Sequence, residues 1–446
     1  MSLKKNTRNL LDTITNPFQR FFEIEASGGI LLIVFTAIAL VWANSPWSHY
    51  YQEFWHYELS IGIGEYKLSH SILHWINDGF MAIFFFVVGL EIKREMMTGE
   101  LSSFKKASLP ISAAIGGMVV PATIFLLINK NQPGAEGWGV PMATDIAFSL
   151  GVLTLLGKRV PLSLKIFLVA FAIVDDLGAV IIIAFFYSQD IQWDMLLYSG
   201  LLLSLLVVFN YLNIRHIPLY MLVGWFIWFL FMKSGIHPTL AGVLIAFTIP
   251  ANRRLDISTF KENMDRNLQP YCLKCNDKIT LNHDQLESID NMETLIRRVQ
   301  SPLQSLEHSL HGFVTFVVMP LFALTNAGVI LTQSGSGFFS PLSVNIEISL
   351  IFGKVIGIAL FSWLAVKIGM SALPRNVNWS HILGLGFLGG MGFTMSLFIS
   401  NLAYTDNVNM LNEAKIGILV GSLVAGITGY LILRSTLKLQ EIPPQD

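Results

Sequence analysis

Long apolar runs, each about as long as a bilayer is thick, constrain this chain more than any other feature. A helix needs roughly 20 mostly apolar residues to cross the hydrocarbon layer. Only 13% of the residues are charged, whereas soluble proteins carry about a quarter. The sequence therefore predicts an all-α polytopic membrane protein with about twelve transmembrane helices. The runs lie near 26–44, 71–92, 109–129, 137–157, 162–187, 193–213, 217–233, 236–250 (a short run), 310–332, 346–370, 379–402 and 411–435.

Basic residues predict the orientation, because cytoplasmic loops are rich in lysine and arginine. If the N-terminal segment 1–25 is cytoplasmic, so are the tail 438–446 and most of the basic loop residues. We therefore expect both termini in the cytoplasm. The cytoplasmic set is Lys93, Arg94, Lys105, Lys106, Lys158, Arg159, Lys165, Arg215, Arg253, Arg254, Lys367, Arg375, Arg434 and Lys438, against Lys67, Lys130, Lys233 and Lys415 on the other side.

Composition also limits the partners. The net charge of −1 gives no reason to expect nucleic acid as a partner. The run 26–44 is longer than the apolar region of a signal peptide, so we treat it as the first membrane span. We expect the lipid bilayer to be the main partner of this chain.

Two loops differ from the rest. Segment 45–70 mixes aromatic residues with alternating apolar and polar ones, as an interfacial periplasmic hairpin does; it serves either as a dimer contact or as a membrane-surface anchor. Segment 251–309 is long, polar and cytoplasmic. It holds Cys272 and Cys275 with His283 nearby, a weak metal signal because structural zinc needs four ligands. A reduced loop without metal is the favoured interpretation.

Four of the ionisable residues inside the apolar runs matter most here: Asp145, Asp175, Asp176 and Lys354. A charge at the bilayer centre costs roughly 2.5–3.5 kcal/mol on insertion scales, so such groups indicate function. Neighbouring helical residues point about 100° apart, so Asp175 and Asp176 face different partners. We expect Lys354 to pair with one of the carboxylates.

Glycine and proline interrupt two of these runs. Gly139 and Pro141 precede Asp145 in the fourth, and the eleventh has five glycines before Thr394 and Ser396. Broken segments in the two halves of a chain are typical of inverted-repeat transporters, whose ion site lies between the breaks. In the eleventh run, close helix packing explains the glycines equally well.

These motifs resemble the NhaA family of sodium/proton antiporters over nearly the whole chain. The resemblance is carried by ASGG at 26–29, WIND at 75–78, VGLEIKRE at 88–95, ATDIAF at 143–148, VDDLGA at 174–179, KSGIH at 233–237, LEHSLH at 306–311, NAGV at 326–329, GK at 353–354 and GFTMSLF at 392–398.

The resemblance implies a domain organisation. Helices 3–5 (107–187) and 10–12 (346–437) would form an inverted-repeat core in which the fourth and eleventh helices are broken and cross. Segments 26–106 and 193–332 would form an interface domain, and hairpin 45–70 would join two copies into a homodimer.

The resemblance also implies site roles. Asp176 becomes the main Na⁺ ligand, and Asp175 is the carboxylate that pairs with Lys354. Asp145 with Thr144 is the group at the helix crossing, and Lys354 neutralises either Asp175 or the facing helix ends. No cofactor is expected, since the ions Na⁺ or Li⁺ and H⁺ are the substrates.

A cytoplasmic cluster matches residues tied to pH control in that family. Clustered carboxylates and histidines titrate near neutrality, but a solvated funnel mouth carries similar charges. His237 also matches a family histidine, although here Pro238 follows it and packing is the commoner role. The cluster consists of Glu91, Arg94, Glu95, Glu307, His308 and His311.

The sequence thus predicts a pH-regulated antiporter that exchanges cytoplasmic Na⁺ or Li⁺ for external H⁺ by alternating access, with more than one H⁺ per Na⁺. An intramembrane aspartyl protease is the alternative from another class, but its Gly-x-Gly-Asp signature is absent before Asp145 and Asp175. A K⁺/H⁺ exchanger stays open, since oxygen ligands do not by themselves select Na⁺.

Overall fold

The computed structural model describes residues 27–63, 66–130, 132–188, 190–252, 257–273, 283–330 and 339–437. The predicted cytoplasmic segments 1–25 and 438–446 lie outside these ranges, as does Cys275. Within them the chain is a multi-pass helical membrane protein, and we number its helices α1–α16 in chain order.

The helices are α1 Ser27–Ala43, α2 Ser48–His56, α3 Ile72–Thr98, α4 Phe104–Ile128, α5 Ile146–Leu155, α6 Leu162–Phe186, α7 Trp193–Tyr211, α8 Ile217–Ser234, α9 Thr239–Thr248, α10 Ile257–Leu273, α11 His283–Val299, α12 Pro302–Asn326, α13 Pro341–Lys367, α14 Trp379–Gly389, α15 Phe393–Ala403 and α16 Val408–Thr436.

Every predicted span has a helical counterpart in the described residues. In the part of the chain that the structure describes, nine helical segments are long and apolar enough to cross a membrane, and bent pairs raise the number to eleven. The short eighth run is α9, whose ten residues are too few to cross alone. The ninth span begins at Pro302, inside the segment that the sequence assigns to a loop, because Ser301 caps it with a hydroxyl that accepts the N–H of Gln304.

Segment 45–70 is half helix and half hairpin. After α2, strands β1 (Glu58–Ile63) and β2 (Tyr66–Ser71) pair antiparallel, with Glu58 opposite Ser71. The Trp75 indole donates to the Leu59 carbonyl at 3.1 Å and ties the hairpin to α3.

The centre of the bundle depends on small residues where α4 and α13 cross. A Cβ added at Gly116 would overlap the backbone of Gly357, and one at Gly357 would overlap Gly116. Since neither position has room for a side chain, the two backbones are in direct contact. This contact fixes Lys354, one turn before Gly357, against the neighbouring core helices.

Two spans are broken at their middles. The fourth runs as a 3₁₀ segment, Ala135–Met142, then as extended chain, and then as α5. The eleventh consists of α14 and α15, which meet at an angle of 44° across a short break. The breaks lie where the sequence places the glycines and proline.

Lys415, which the sequence counts among the loop residues, is buried inside a spanning helix. It belongs to α16 and is 8% exposed. The apolar run 411–435 already contains this position, so its assignment to a loop is wrong.

Candidate functional site

The two chain breaks meet in the buried centre of the protein. The Asp145 N–H donates to the Met391 carbonyl at 2.7 Å, and the Thr144 hydroxyl donates to the Gly389 carbonyl at 2.8 Å. Ser149 donates to Leu388 O at 2.7 Å. Thr144 and Asp145, at the break of the fourth span, and Ser149 of α5 thus satisfy carbonyls at the C-terminus of α14 and just after it.

Asp145 caps two helices at once. Its Oδ1 accepts the Phe148 N–H at 3.1 Å, which caps α5. Its Oδ2 accepts both the N–H of Thr394, at 3.1 Å, and the Thr394 hydroxyl, at the start of α15. A carboxylate at two helix N-termini is stabilised by both helix dipoles. Both oxygens of Asp145, which is 1% exposed, are therefore bonded to protein.

Thr394 is a site residue that sequence reasoning did not select. Its position directly after Gly389, Gly390 and Gly392 was the available signal, because a hydroxyl residue just beyond a helix break is placed to bond a facing group.

Lys354 pairs with Asp175. Its Nζ lies 2.8 Å from Asp175 Oδ2 and 3.0 Å from Oδ1, and 2.9 Å from the Thr144 hydroxyl oxygen. Both charged side chains are inaccessible to solvent, and the Phe171 ring lies beside the ammonium group. Through its one charged group, Lys354 therefore joins α13 to α6 and to the break of the fourth span.

Asp176 is different from its neighbour. It is 1% exposed, and its Oδ1 has no hydrogen-bond partner among the described residues. The charges of Asp175, Asp145 and Glu91 repel its carboxylate, and that of Lys354 attracts it. A buried carboxylate oxygen without a partner is costly unless a proton or a cation joins it. Of the predicted ligands Asp176, Asp175, Asp145 and Thr144, Asp176 has the oxygen still available.

The structure brings most of the proposed pH cluster together where α3 and α12 meet. Arg94 bonds Glu307 and also Glu95, the latter at 3.0 Å. Glu91 lies 3.8 Å from the His311 ring. His308 is exposed and does not take part in these pairs.

His237 lies apart from that cluster, next to Asp78. Its Nε2 is 3.6 Å from Asp78 Oδ1, while His74 Nε2 is 3.3 Å from Asp78 Oδ2. Asn77, the residue before Asp78, accepts a hydrogen bond on its Oδ1 from the Asn326 side-chain amide at 2.8 Å. Sequence reasoning missed Asp78, although it lies inside the second apolar run.

The described residues contain no group of three or more His, Cys, Asp or Glu side chains placed to hold a metal ion. Cys272 lies at the end of α10, but its side chain and Cys275 fall outside the description. The weak CxxC signal thus stays a sequence observation.

Known proteins match nearly the full chain. The family model Na⁺/H⁺ antiporter 1 matches residues 19–433. Proteins named Na⁺/H⁺ antiporter NhaA are 47% identical in Oleidesulfovibrio alaskensis, over 97% of this chain and 96% of that protein, and 46% identical in Sulfurimonas denitrificans, over 98% and 99%.

In Bacteroides fragilis the protein of that name is 46% identical, over 95% of this chain and 99% of that protein. A solved structure of the sodium proton antiporter MjNhaP1 from Methanocaldococcus jannaschii shares 11% identity, with a TM-score of 0.47 and 93% of each chain covered; that likeness is too low to support a statement about the fold. The family model and the curated relatives each span over nine-tenths of the chain, and this protein therefore belongs to the NhaA family of Na⁺/H⁺ antiporters.

Proposed function

We propose that this chain is a secondary active antiporter that exchanges cytoplasmic Na⁺ or Li⁺ for external H⁺ at Asp176, by alternating access and without a cofactor. The relatives' names support the exchange of Na⁺ for H⁺. The observation that carries the site is the buried Asp176 carboxylate with its unpartnered Oδ1.

The chemistry follows from competition at one carboxylate. Burial disfavours the bare anion, so the group holds either a proton or a cation. When the site faces the cytoplasm, loss of the proton makes room for Na⁺. When it faces outward, an external proton displaces the cation. No step forms or breaks a covalent bond in a substrate, which distinguishes this transport cycle from the reaction of an enzyme.

A second proton carrier would make the exchange electrogenic. Asp175 and Lys354 form a buried pair within 2.8 Å, and either member can exchange a proton when the pair separates. If two protons enter for each Na⁺ that leaves, one net charge crosses per cycle. The membrane potential then contributes about 2.3 kcal/mol per 100 mV.

We propose that the cluster at α3 and α12 regulates this cycle by pH. Arg94 bonds an acid on each side, Glu95 on its own helix and Glu307 on the other. Protonation of a carboxylate or of His311 would change the charge between the two helices. Part of the cluster is exposed, as charged residues at the solvated mouth of an ion pathway would also be.

The proposal places the chain in the bacterial inner membrane with both termini cytoplasmic, as the basic loops indicate. It includes a homodimer joined through segment 45–70, where β1 has an open edge suited to strand pairing.

The aspartyl protease alternative lacks its dyad. Such an enzyme needs two carboxylates that share one water. Asp175 is instead paired with Lys354, and both oxygens of Asp145 cap helices.

The test uses everted vesicles that contain a pH-sensitive dye, at pH ~6 to 9. We expect Na⁺ or Li⁺ to release protons with wild type and not with Asp176→Asn. Asp194→Asn is the matched control, because that carboxylate is exposed at the start of α7. Normal exchange by Asp176→Asn would refute the site, and a response to K⁺ alone would favour the K⁺/H⁺ exchanger.

A further inference from the structure

An apolar groove of about 860 Å³ runs between α1, α5 and α16. Its volume is within the range of ligand sites, roughly 300–1,000 Å³. Residues on its rim are largely exposed, Val41 at 71%, Leu155 at 62% and Leu423 at 64%. Because α16 is a membrane-spanning helix, this rim faces hydrocarbon, and the groove opens sideways into the bilayer.

The groove reaches the helix crossing. Phe148, Met391 and Phe393 line its inner wall. The Phe148 N–H bonds the Asp145 carboxylate, and the Met391 carbonyl accepts the Asp145 N–H. Whatever fills the groove therefore packs against two residues that hold Asp145 in place.

One end of the groove carries positive charge. Tyr430 lines it, and the Arg434 guanidinium lies 5.9 Å from the Tyr430 ring, in the last turn of α16. Arg434 is exposed, and no carboxylate among the described residues forms an ion pair with it. Arg159 lies in the short 3₁₀ turn Gly157–Arg159 that follows α5. A tyrosine and arginines at a helix end are typical of the lipid headgroup level.

From this arrangement we propose that the groove binds one anionic phospholipid. Its phosphate lies at Arg434, and one acyl chain fills the groove down to Phe393. Basic residues at the cytoplasmic ends of transmembrane helices attract anionic headgroups, and an apolar wall without charges suits an acyl chain. The lipid would support the packing around the crossing. This site is separate from Asp176, and its occupation does not depend on Na⁺.

The test measures phospholipid binding to the purified full chain by native mass spectrometry after delipidation. Phosphatidylglycerol is compared with phosphatidylcholine of the same acyl chains, without Na⁺. We expect one phosphatidylglycerol to bind more tightly than phosphatidylcholine. Arg434→Gln should weaken phosphatidylglycerol binding about fivefold, since one basic residue near the headgroups contributes about 1 kcal/mol, and it should leave phosphatidylcholine binding unchanged.

Further variants separate the contribution of the headgroup to lipid binding from that of the acyl chain. Ser422 lines the groove, and its hydroxyl has no hydrogen-bond partner in the described chain, so Ser422→Phe fills space without breaking a contact. We expect it to weaken both lipids at least tenfold, while Ser422→Ala binds as wild type does. Arg375→Gln, at an exposed arginine outside the groove, should change nothing.

Three results would overturn the proposal. The first is equal binding of both lipids by wild type. The second is equal binding of phosphatidylglycerol by Arg434→Gln and Arg375→Gln, a comparison that does not depend on whether Ser422→Phe folds. The third is a change of oligomeric mass in Ser422→Phe without loss of lipid, which would assign the groove to a second copy of the chain.

Discussion

Replacing Lys354 by methionine tests the buried ion pair at the centre of the core. Its Nζ contacts both Asp175 oxygens, at 2.8 and 3.0 Å, and neither side chain is exposed. Removing one member of a buried pair leaves an uncompensated charge and costs about 3–5 kcal/mol. We therefore expect Lys354→Met to lower the free energy of unfolding by that amount, and Asp175→Asn to do so similarly.

The double variant provides the decisive comparison. With both charges removed, the desolvation cost is gone as well, so Lys354→Met/Asp175→Asn should be more stable than either single variant, by roughly 2 kcal/mol or more. Unfolding in mixed micelles with increasing dodecyl sulfate, followed by tryptophan fluorescence, measures all three. Lys367→Met is the control, because this exposed lysine at the end of the same helix contributes under about 1 kcal/mol through its contact with Trp363. If the two single losses simply add in the double variant, the ion-pair reasoning is wrong.

Three more changes have defined outcomes. Thr394→Val removes the hydroxyl bond to Asp145 and keeps the N–H bond; we expect a loss of about 1–3 kcal/mol in the unfolding assay, and no change would mean that the hydroxyl is not needed. Gly357→Leu should abolish folded protein in size-exclusion chromatography, because its Cβ meets backbone, whereas Gly200→Leu, with open space around it, should behave as wild type. Burial and neighbouring positive charge lower the pKa of His70, so the folded hairpin disfavours the imidazolium and loses stability as pH falls through about 6.5. The protection factors of the β1 and β2 amides, each taken relative to the intrinsic exchange rate at the same pH, should be lower at pH ~5.5 than at ~7.5, and His70→Gln should remove that difference.

The spans were predictable because hydrocarbon imposes a length and a composition. An apolar run of about 20 residues has few alternatives to a membrane helix, and each predicted run has its counterpart in the described chain. Helix ends were less predictable. The starts at Pro302 and Val408 depend on the caps Ser301 and Asn407, whose side chains accept local N–H groups, whereas hydropathy reports burial in lipid and not capping.

Parts of the site required contacts between distant residues. Asp145 stood out in the sequence as a charge in an apolar run, but its role as a cap for α15 depends on Thr394, 249 residues away. No local pattern specifies that bond. Asp78 lies inside the second apolar run and was missed there, and its contact with His237 follows from the packing of α9 against α3.

The adjacent carboxylates of α6 acquire different chemistry because of what lies around the helix. Lys354 satisfies Asp175, while Asp145 already provides the negative charge that the N-termini of α5 and α15 attract. Asp176, about 100° further round, receives neither partner, and none of the described residues bonds its Oδ1. An arriving cation finds Asp175 neutralised and Asp145 bonded, so Asp176 is the carboxylate at which binding costs no existing contact. By this argument, Asp175→Asn should weaken ion binding less than Asp176→Asn, and isothermal titration of Na⁺ or Li⁺ into the two purified variants would show the reverse order if it is wrong.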